Sequence, residues 1–261
     1  MYMSYILTET KGPVGIITFN RPEVFNAMNY ELLAELEEAV LNMDRDDHVS
    51  VMILTGAGKG FMAGADIAYI RDIDVIEAKR WCNNMNRIFN EIDHASKPVI
   101  AAVNGAAMGG GCELSLACDI RIASEKAKFA LPEVTLGITP GAGGTQRLSR
   151  LVGPGKAKEL AFTGRVIDAA EAEKIGLVNH VTAPEQLMEA ALEMGNKISE
   201  NGQFAVRQVK LEIDRGLQMD VTNAVTFETE SCVLCFGTSD RTEGMTAFLE
   251  KRKPLFTDCR A

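Results

Sequence analysis

Histidine is scarce: the 261 residues hold three, His48, His94 and His180. They lie far apart, with none of the paired spacing of a metal-binding helix, so no metal centre is expected. The six cysteines are scattered, which points to reduced thiols in a cytoplasm rather than a disulfide framework. Cys232 and Cys235 make a lone C-x-x-C without a second half and read as packed thiols on a helix. Long apolar runs are missing too. The best uncharged stretch, Pro98 to Cys112, contains Asn104 and four glycines and is too short to span a bilayer. The start, Met1 to Leu7, has no basic residue and soon meets Glu9, so it does not read as a signal peptide. Positive charge is in deficit, with a net charge of −9. General attraction for nucleic acid or an anionic membrane is therefore not expected.

What is present is ordinary globular composition, 46% hydrophobic and 24% charged. A chain of this length buries roughly three-quarters of the surface its unfolded form exposes, enough for a core without staples. Gly12-Pro13 reads as a turn and Val14–Phe19 as a strand. Asn29 caps a helix whose apolar residues Leu32, Leu33, Leu36, Val40 and Met43 have helical spacing. A buried strand is predicted at Val49–Thr55, and a helix at Asp74–Asp93 with Trp81, Met85, Ile88, Phe89 and Ile92 on one face. Pro98–Val103 is strand-like. The flexible Gly109-Gly110-Gly111 ends it before a short helix at Cys112–Ala117, and Ile120 and Ile122 begin another strand. From Gly143 onward helices dominate, with Gly153 and Gly216 as stops, Asp168 and Glu171 as a capping arrangement, and Pro184 as a start. The expectation is an α/β core over residues 1–200 and a helical region over 201–261. No linker separates them, so the helical region packs on the core or on a partner subunit. No internal repeat is evident.

Several catalytic motifs fail on spacing. Gly56-Ala57-Gly58-Lys59-Gly60 lacks the spacing and the Ser/Thr of a phosphate-binding loop. Gly141-Ala142-Gly143-Gly144 lacks the last glycine of a dinucleotide fingerprint. Both read as glycine-rich turns. No Ser–His–Asp set is evident. Cys112 sits beside glycines at a candidate helix start, where a thiol pKa can fall, but without a histidine partner it reads as a packing residue.

The chemistry concentrates between Phe61 and Leu148, in Phe61-Met62-Ala63-Gly64-Ala65-Asp66-Ile67, Ala101 to Leu114, Leu131-Pro132-Glu133-Val134 and Pro140 to Leu148. Small residues around Ala65 and Gly110 let main-chain N–H groups reach a ligand. If Gly110 opens a helix, its N–H points outward at the positive end of the dipole. Two such groups on separate loops can hold a carbonyl oxygen that gains negative charge. Glu113 lies just inside that helix and Glu133 in a turn shaped by Pro132, both among apolar neighbours. Paired carboxylates beside an oxyanion site suit proton transfer, one accepting while the other donates. Taken singly, Glu113 reads more readily as a helix-dipole partner and Glu133 as an exposed turn residue than either does as a catalytic acid.

These segments in this order, with Asn20-Arg21-Pro22, Asn26-Ala27-Met28 and the late Asp240 to Lys253 stretch, strongly resemble the crotonase superfamily, the enoyl-CoA hydratase/isomerase family. The resemblance spans nearly the whole chain. It implies a spiral of ββα units, a C-terminal helical region that builds homotrimers, and pairing of trimers into homohexamers. It implies an acyl-CoA thioester substrate, with coenzyme A as part of the substrate and no metal or redox cofactor. It places the oxyanion hole at Ala65 and Gly110 and the hydratase carboxylates at Glu113 and Glu133. Ala27, Ala63, Gly64, Asp66, Ile67, Gly109 and Pro132 are the implied substrate-binding positions, with Gly141 N–H helping to hold the water. The implied reaction is hydration of a trans-2-enoyl-CoA, probed first with short chains such as crotonyl-CoA. Isomerisation of a 3-enoyl-CoA, hydration of a cyclic dienoyl-CoA, and a non-catalytic RNA-binding role on the same fold are the alternatives. Two positions depart from the usual pattern: Leu131 stands where relatives often carry Gln, and Ala68 where they often carry a polar or basic residue. Lys251, Arg252 and Lys253 offer cations for CoA phosphates, or simply a solvated helix end.

Overall fold

In the computed structural model, which describes residues 4–258, the chain opens with a hairpin. β1 (Ile6–Lys11) and β2 (Val14–Phe19) pair antiparallel across Gly12-Pro13, with Gly12 in the left-handed region at φ 58°. α1 (Tyr30–Arg45) follows, started by Asn29, whose side-chain oxygen accepts the Leu32 N–H at 2.9 Å. Its expected apolar stripe is its buried face.

Three strand–strand–helix units come next. The first holds β3 (Val51–Gly56), β4 (Gly60–Met62), the single turn α2 (Ile67–Ile70) and α3 (Val75–Asp93). The second holds β5 (Val99–Val103), β6 (Ala106–Met108) and α4 (Gly110–Leu116). The third holds β7 (Ile120–Ser124), β8 (Lys128–Ala130), a 3-10 turn at Glu133–Leu136 and α5 (Gly144–Val152). After them run α6 (Pro154–Thr163), β9 (Ile167–Asp168), α7 (Ala169–Lys174), β10 (His180–Thr182) and α8 (Leu187–Ser199). The helices α9 (Gln203–Gly216), α10 (Val221–Cys235) and α11 (Ser239–Glu250) complete the described chain.

The first strand of each unit joins a sheet of order β1-β2-β3-β5-β7-β10, and the second joins a smaller sheet of order β4-β6-β8-β9. Each unit thus advances the chain one step along both sheets, which makes the fold a spiral of ββα units. From β2 to β10 the larger sheet is parallel, and its inner strands are covered on both faces. Alternate residues serve different cores. Val14, Ile16, Val51, Ile53, Ile100 and Ala102 pack on Leu187 and Ala191 of α8. Ile17, Phe19, Met52, Leu54, Ala101 and Val103 face the larger core with α1 and α3.

Several boundaries shift by one or two residues from expectation, as where helix Asp74–Asp93 begins at Val75 and strand Pro98–Val103 at Val99. The strand expected from Val49 begins at Val51. The helix expected from Cys112 begins at Gly110, because these glycines answer to packing rather than flexibility. A Cβ on Gly110 would stand 2.3 Å from Met28 Cε, and one on Gly111 would stand 2.0 Å from the Met62 carbonyl oxygen. The short strands β4, β6, β8 and β9 have two or three residues each, too few for alternation to show in sequence.

Beyond residue 200, α9 is tied to the core by Lys210. Its Nζ donates to the Asp93 carbonyl at 2.9 Å and pairs with Asp119. Ile213, Leu217, Val221, Val233, Phe248 and Leu249 of α9–α11 remain exposed. No helix among the described residues is long and apolar enough to cross a membrane.

Candidate active site

The strands β4, β6 and β8 run parallel, and each ends just before a residue singled out from the sequence: Ala65, Gly110 and Glu133. The candidate site therefore lies along the C-terminal edge of the smaller sheet, with one contribution from each ββα unit.

Ala65 is presented by a parallel bridge to Met28. The Met28 N–H donates to Gly64 O at 2.8 Å, and the Asp66 N–H donates to Met28 O at 3.0 Å, so the Ala65 amide faces the other way. The facing segment is held by Asn26, fully buried at φ 60°. Its Nδ2 donates to the carbonyls of Ala57, Gly60 and Phe61, and its Oδ1 accepts the Arg21 N–H. The Ala63 N–H donates to Phe25 O at 3.0 Å, and the Ala27 carbonyl accepts from Arg21 Nη1. Asp66 caps α2 and lies 4.0 Å from Arg21 Nη2. Ile67 is exposed beside it.

Gly110 is brought alongside by Gly109, which has φ 52° and ψ −123°, a conformation suited to glycine. A Cβ on Gly64 would sit 3.6 Å from Gly110 N, so the two loops are in direct backbone contact. Among the described residues, neither the Ala65 nor the Gly110 N–H has an acceptor. Two adjacent, unspent donors are what an oxyanion site requires.

The two carboxylates approach adjacent glycines of the same loop. Glu113 Oε2 would lie 3.9 Å from a Cβ on Gly110, and Glu133 Oε1 would lie 3.0 Å from a Cβ on Gly109. Pro132 borders Gly109 at 4.0 Å on the same measure. The environments of the two acids differ. Glu113 Oε1 accepts the N–H groups of Ala142 and Gly144, each at 2.8 Å. Burial raises its pKa, while these two bonds and the nearby Arg147 charge oppose the rise. Glu133 Oε2 is buried without a hydrogen-bond partner. Burial pushes the Glu133 carboxyl up to about 7, with the Glu113 charge adding to the rise. A pair separated in this way can hold one acid neutral while the other is ionised.

Gly141 stands beside this group. Its carbonyl accepts from Asn86 Nδ2 at 2.6 Å, and a Cβ there would meet Cys82 Sγ at 2.9 Å. The amides that bond Glu113 belong to Ala142 and Gly144, and the sequence did not single them out. Nor did it single out Arg147 or Asn86. An arginine three residues after a helix-opening glycine was the available signal for Arg147. Leu131 is buried against Gly144 and borders a cavity of about 10 Å³ with Cys112 and Leu148. Cys112 is a packing residue, its thiol pushed up to about 12 by burial. Ala68 is exposed and donates its N–H to Asp66. Arg252 pairs with Glu243 and Glu250, and Lys253 pairs with Glu200, so these two cations have partners within the chain.

Comparison with known proteins identifies the family. Residues 9–259 match the family model described as enoyl-CoA hydratase/isomerase. The chain is 49% identical over 254 residues to the short-chain-enoyl-CoA hydratase of Clostridium acetobutylicum, covering 97% of each. It is 48% identical over 252 residues to the crotonyl-CoA hydratase of Syntrophomonas wolfei, covering 96% of this chain and 97% of that one. A crystal structure of the enoyl-CoA hydratase from Bacillus anthracis superposes with a TM-score of 0.94 at 42% identity, covering 97% of this chain and 98% of that one. On sequence and fold alike, the chain belongs to the enoyl-CoA hydratase/isomerase family.

Proposed function

We propose that the protein is an enoyl-CoA hydratase, catalysing reversible syn addition of water to a short trans-2-enoyl-CoA to give the 3-hydroxyacyl-CoA. The observation that carries this reading is the convergence of two unlike buried carboxylates on a loop with free N–H groups. Isomerisation needs one group to move a proton, whereas hydration must also place a water, and a second acid is available for that. The names of the similar proteins, short-chain-enoyl-CoA hydratase and crotonyl-CoA hydratase, support a short acyl chain.

In this mechanism the Ala65 and Gly110 N–H groups hold the thioester oxygen as it gains enolate character. Each such donor lowers the barrier by on the order of 3 kcal/mol. Glu113, fixed through Oε1, takes its water at Oε2. That water attacks C3 and gives one proton to Glu113. Glu133 starts neutral and delivers its proton to C2. The product gains OH at C3 and H at C2, and proton exchange with solvent resets the two acids. In dehydration Glu133 is the base. The remaining substrate contacts fall to Ala27, Ala63, Gly64, Asp66, Ile67, Gly109, Pro132 and Gly141. The thioester activates both reacting carbons, so the scheme uses no metal or redox cofactor, and full activity after chelation is expected.

The exposed apolar residues of α9–α11 support a homotrimer or a homohexamer made from two trimers. The composition supports a cytoplasmic protein with no nucleic-acid or membrane partner. The deciding experiment is a substrate panel of crotonyl-CoA, a 3-enoyl-CoA and a cyclic dienoyl-CoA, compared by kcat/KM. Crotonyl-CoA is expected to lead. Preference for either of the others replaces the hydratase reading with the corresponding alternative, and tight salt-sensitive RNA binding without turnover replaces it with a binding role.

A further inference from the structure

The hydratase reading gives Glu113 the task of holding water, and that task depends on how its carboxylate is aimed. Both amides that grip Oε1 come from the turn before and into α5, at Ala142 and Gly144. That turn is glycine-rich and has little intrinsic stiffness. Its rigidity comes from α3, at two points. Asn86 Nδ2 donates to the Gly141 carbonyl at 2.6 Å. Four and seven residues further on, the helix presents Asn90 and Asp93 to Arg147.

The Arg147 guanidinium uses Nε and Nη2 on Asp93 Oδ2, at 3.0 and 2.8 Å, and Nη2 again on Asn90 Oδ1 at 2.8 Å. Its Nη1 turns back to the Ala142 carbonyl at 3.2 Å. The Gly143 peptide lies against the same group. A Cβ there would stand 2.2 Å from Nη1, and φ 98° already favours glycine. Asp93 is itself held from behind, its carbonyl accepting from Lys210 Nζ.

We propose that Arg147 is a positioning residue for Glu113: it clamps the Ala142–Gly144 turn to α3, keeping two amides on Oε1 and leaving Oε2 for the water. The proposal rests on the hydratase reading for its purpose, but the clamp itself can be measured without turnover. The charge of Arg147 also favours the ionised form of Glu113. The other titratable groups that act on or are acted on by Glu113 are Glu133 in the turn after β8, Cys82 on α3 and Cys112 on α4.

The test compares wild type, Arg147→Gln and Arg147→Lys. Glu113 is followed by carbon NMR in protein labelled at the glutamate carboxyl carbon and assigned with Glu113→Gln. In parallel, kcat and KM for crotonyl-CoA are measured across pH. In Arg147→Gln, Glu113 is expected to titrate at higher pH than in wild type. Its kcat should fall at least about tenfold with KM nearly unchanged, because misaim of a reacting group affects the chemical step. Arg147→Lys keeps the charge but should restore neither kcat nor the full Glu113 titration, since one ammonium cannot span Ala142 O, Asn90 and Asp93 to keep both amides on Oε1. An unmoved Glu113 titration in folded Arg147→Gln overturns the proposal, as does wild-type kcat in either variant. Should Arg147→Gln not fold, the kcat of Arg147→Lys decides. A wild type without hydration activity defeats the hydratase reading instead, and the Glu113 titration in Arg147→Lys, where the charge is kept, still decides the clamp: a wild-type titration there overturns it.

Discussion

The two sides of the candidate cleft hold the same side chain in opposite ways. Around Glu113 the protein supplies two amides and a clamped turn, and the carboxylate has one orientation. Around Glu133 it supplies burial and leaves Oε2 without a partner, so the acid keeps its proton to about pH 7. In the proposed mechanism, solvation more than residue type divides the labour between a water-holding group and a proton carrier.

The strongest way to break this comparison is to neutralise each acid in turn. Glu113→Gln and Glu133→Gln should each reduce kcat for crotonyl-CoA by about 100- to 10,000-fold, the range for losing a positioned acid or base. Near-wild-type kcat in both would remove the two carboxylates from the mechanism. A smaller loss, on the order of 100-fold, is expected for Gly109→Ala, whose methyl would press on Glu133 Oε1 at 3.0 Å and strain a positive φ. Its effect should appear in kcat, and steady-state kinetics with a thermal melt will separate it from unfolding.

The pH profile sharpens the contrast further. Hydration needs neutral Glu133, so kcat should decline as pH rises through about 7, and dehydration should show the opposite limb. Stability follows with a definite sign. The folded state binds the Glu133 proton more tightly than the unfolded state does, so stability falls as pH rises from the ordinary carboxylate range through about 7. Glu133→Gln should therefore raise Tm at pH 8 by on the order of a few degrees, with the gain fading toward pH 4. The least effect belongs outside the cleft. Asn29→Ala removes the cap of α1 and should cost about 1 kcal/mol in denaturant unfolding while leaving kcat unchanged.

The legible parts of the chain were those where one local rule decides. Asn29 and Asp168 cap the helices they were expected to cap, and the stripes of α1 and α3 are the buried faces. The spiral was not legible from residue pattern, because its second strands are too short to carry a period and the ββα units share geometry rather than residues. It was reached through family resemblance. The same holds at the site. Glu113 and Glu133 are 20 positions apart, and nothing local says that they face one glycine pair. Arg147 and Asn86 were missed because their partners lie 50 or more residues away across the fold.

Because β4, β6 and β8 each end at a different functional group, the cleft is assembled rung by rung. In the proposed mechanism the rungs bearing Ala65 and Gly110 secure the thioester, and the rung bearing Glu133 sets what becomes of the bound carbon chain. A scaffold laid out in this manner can change its reaction by exchanging one loop while the grip on the acyl carrier is inherited intact.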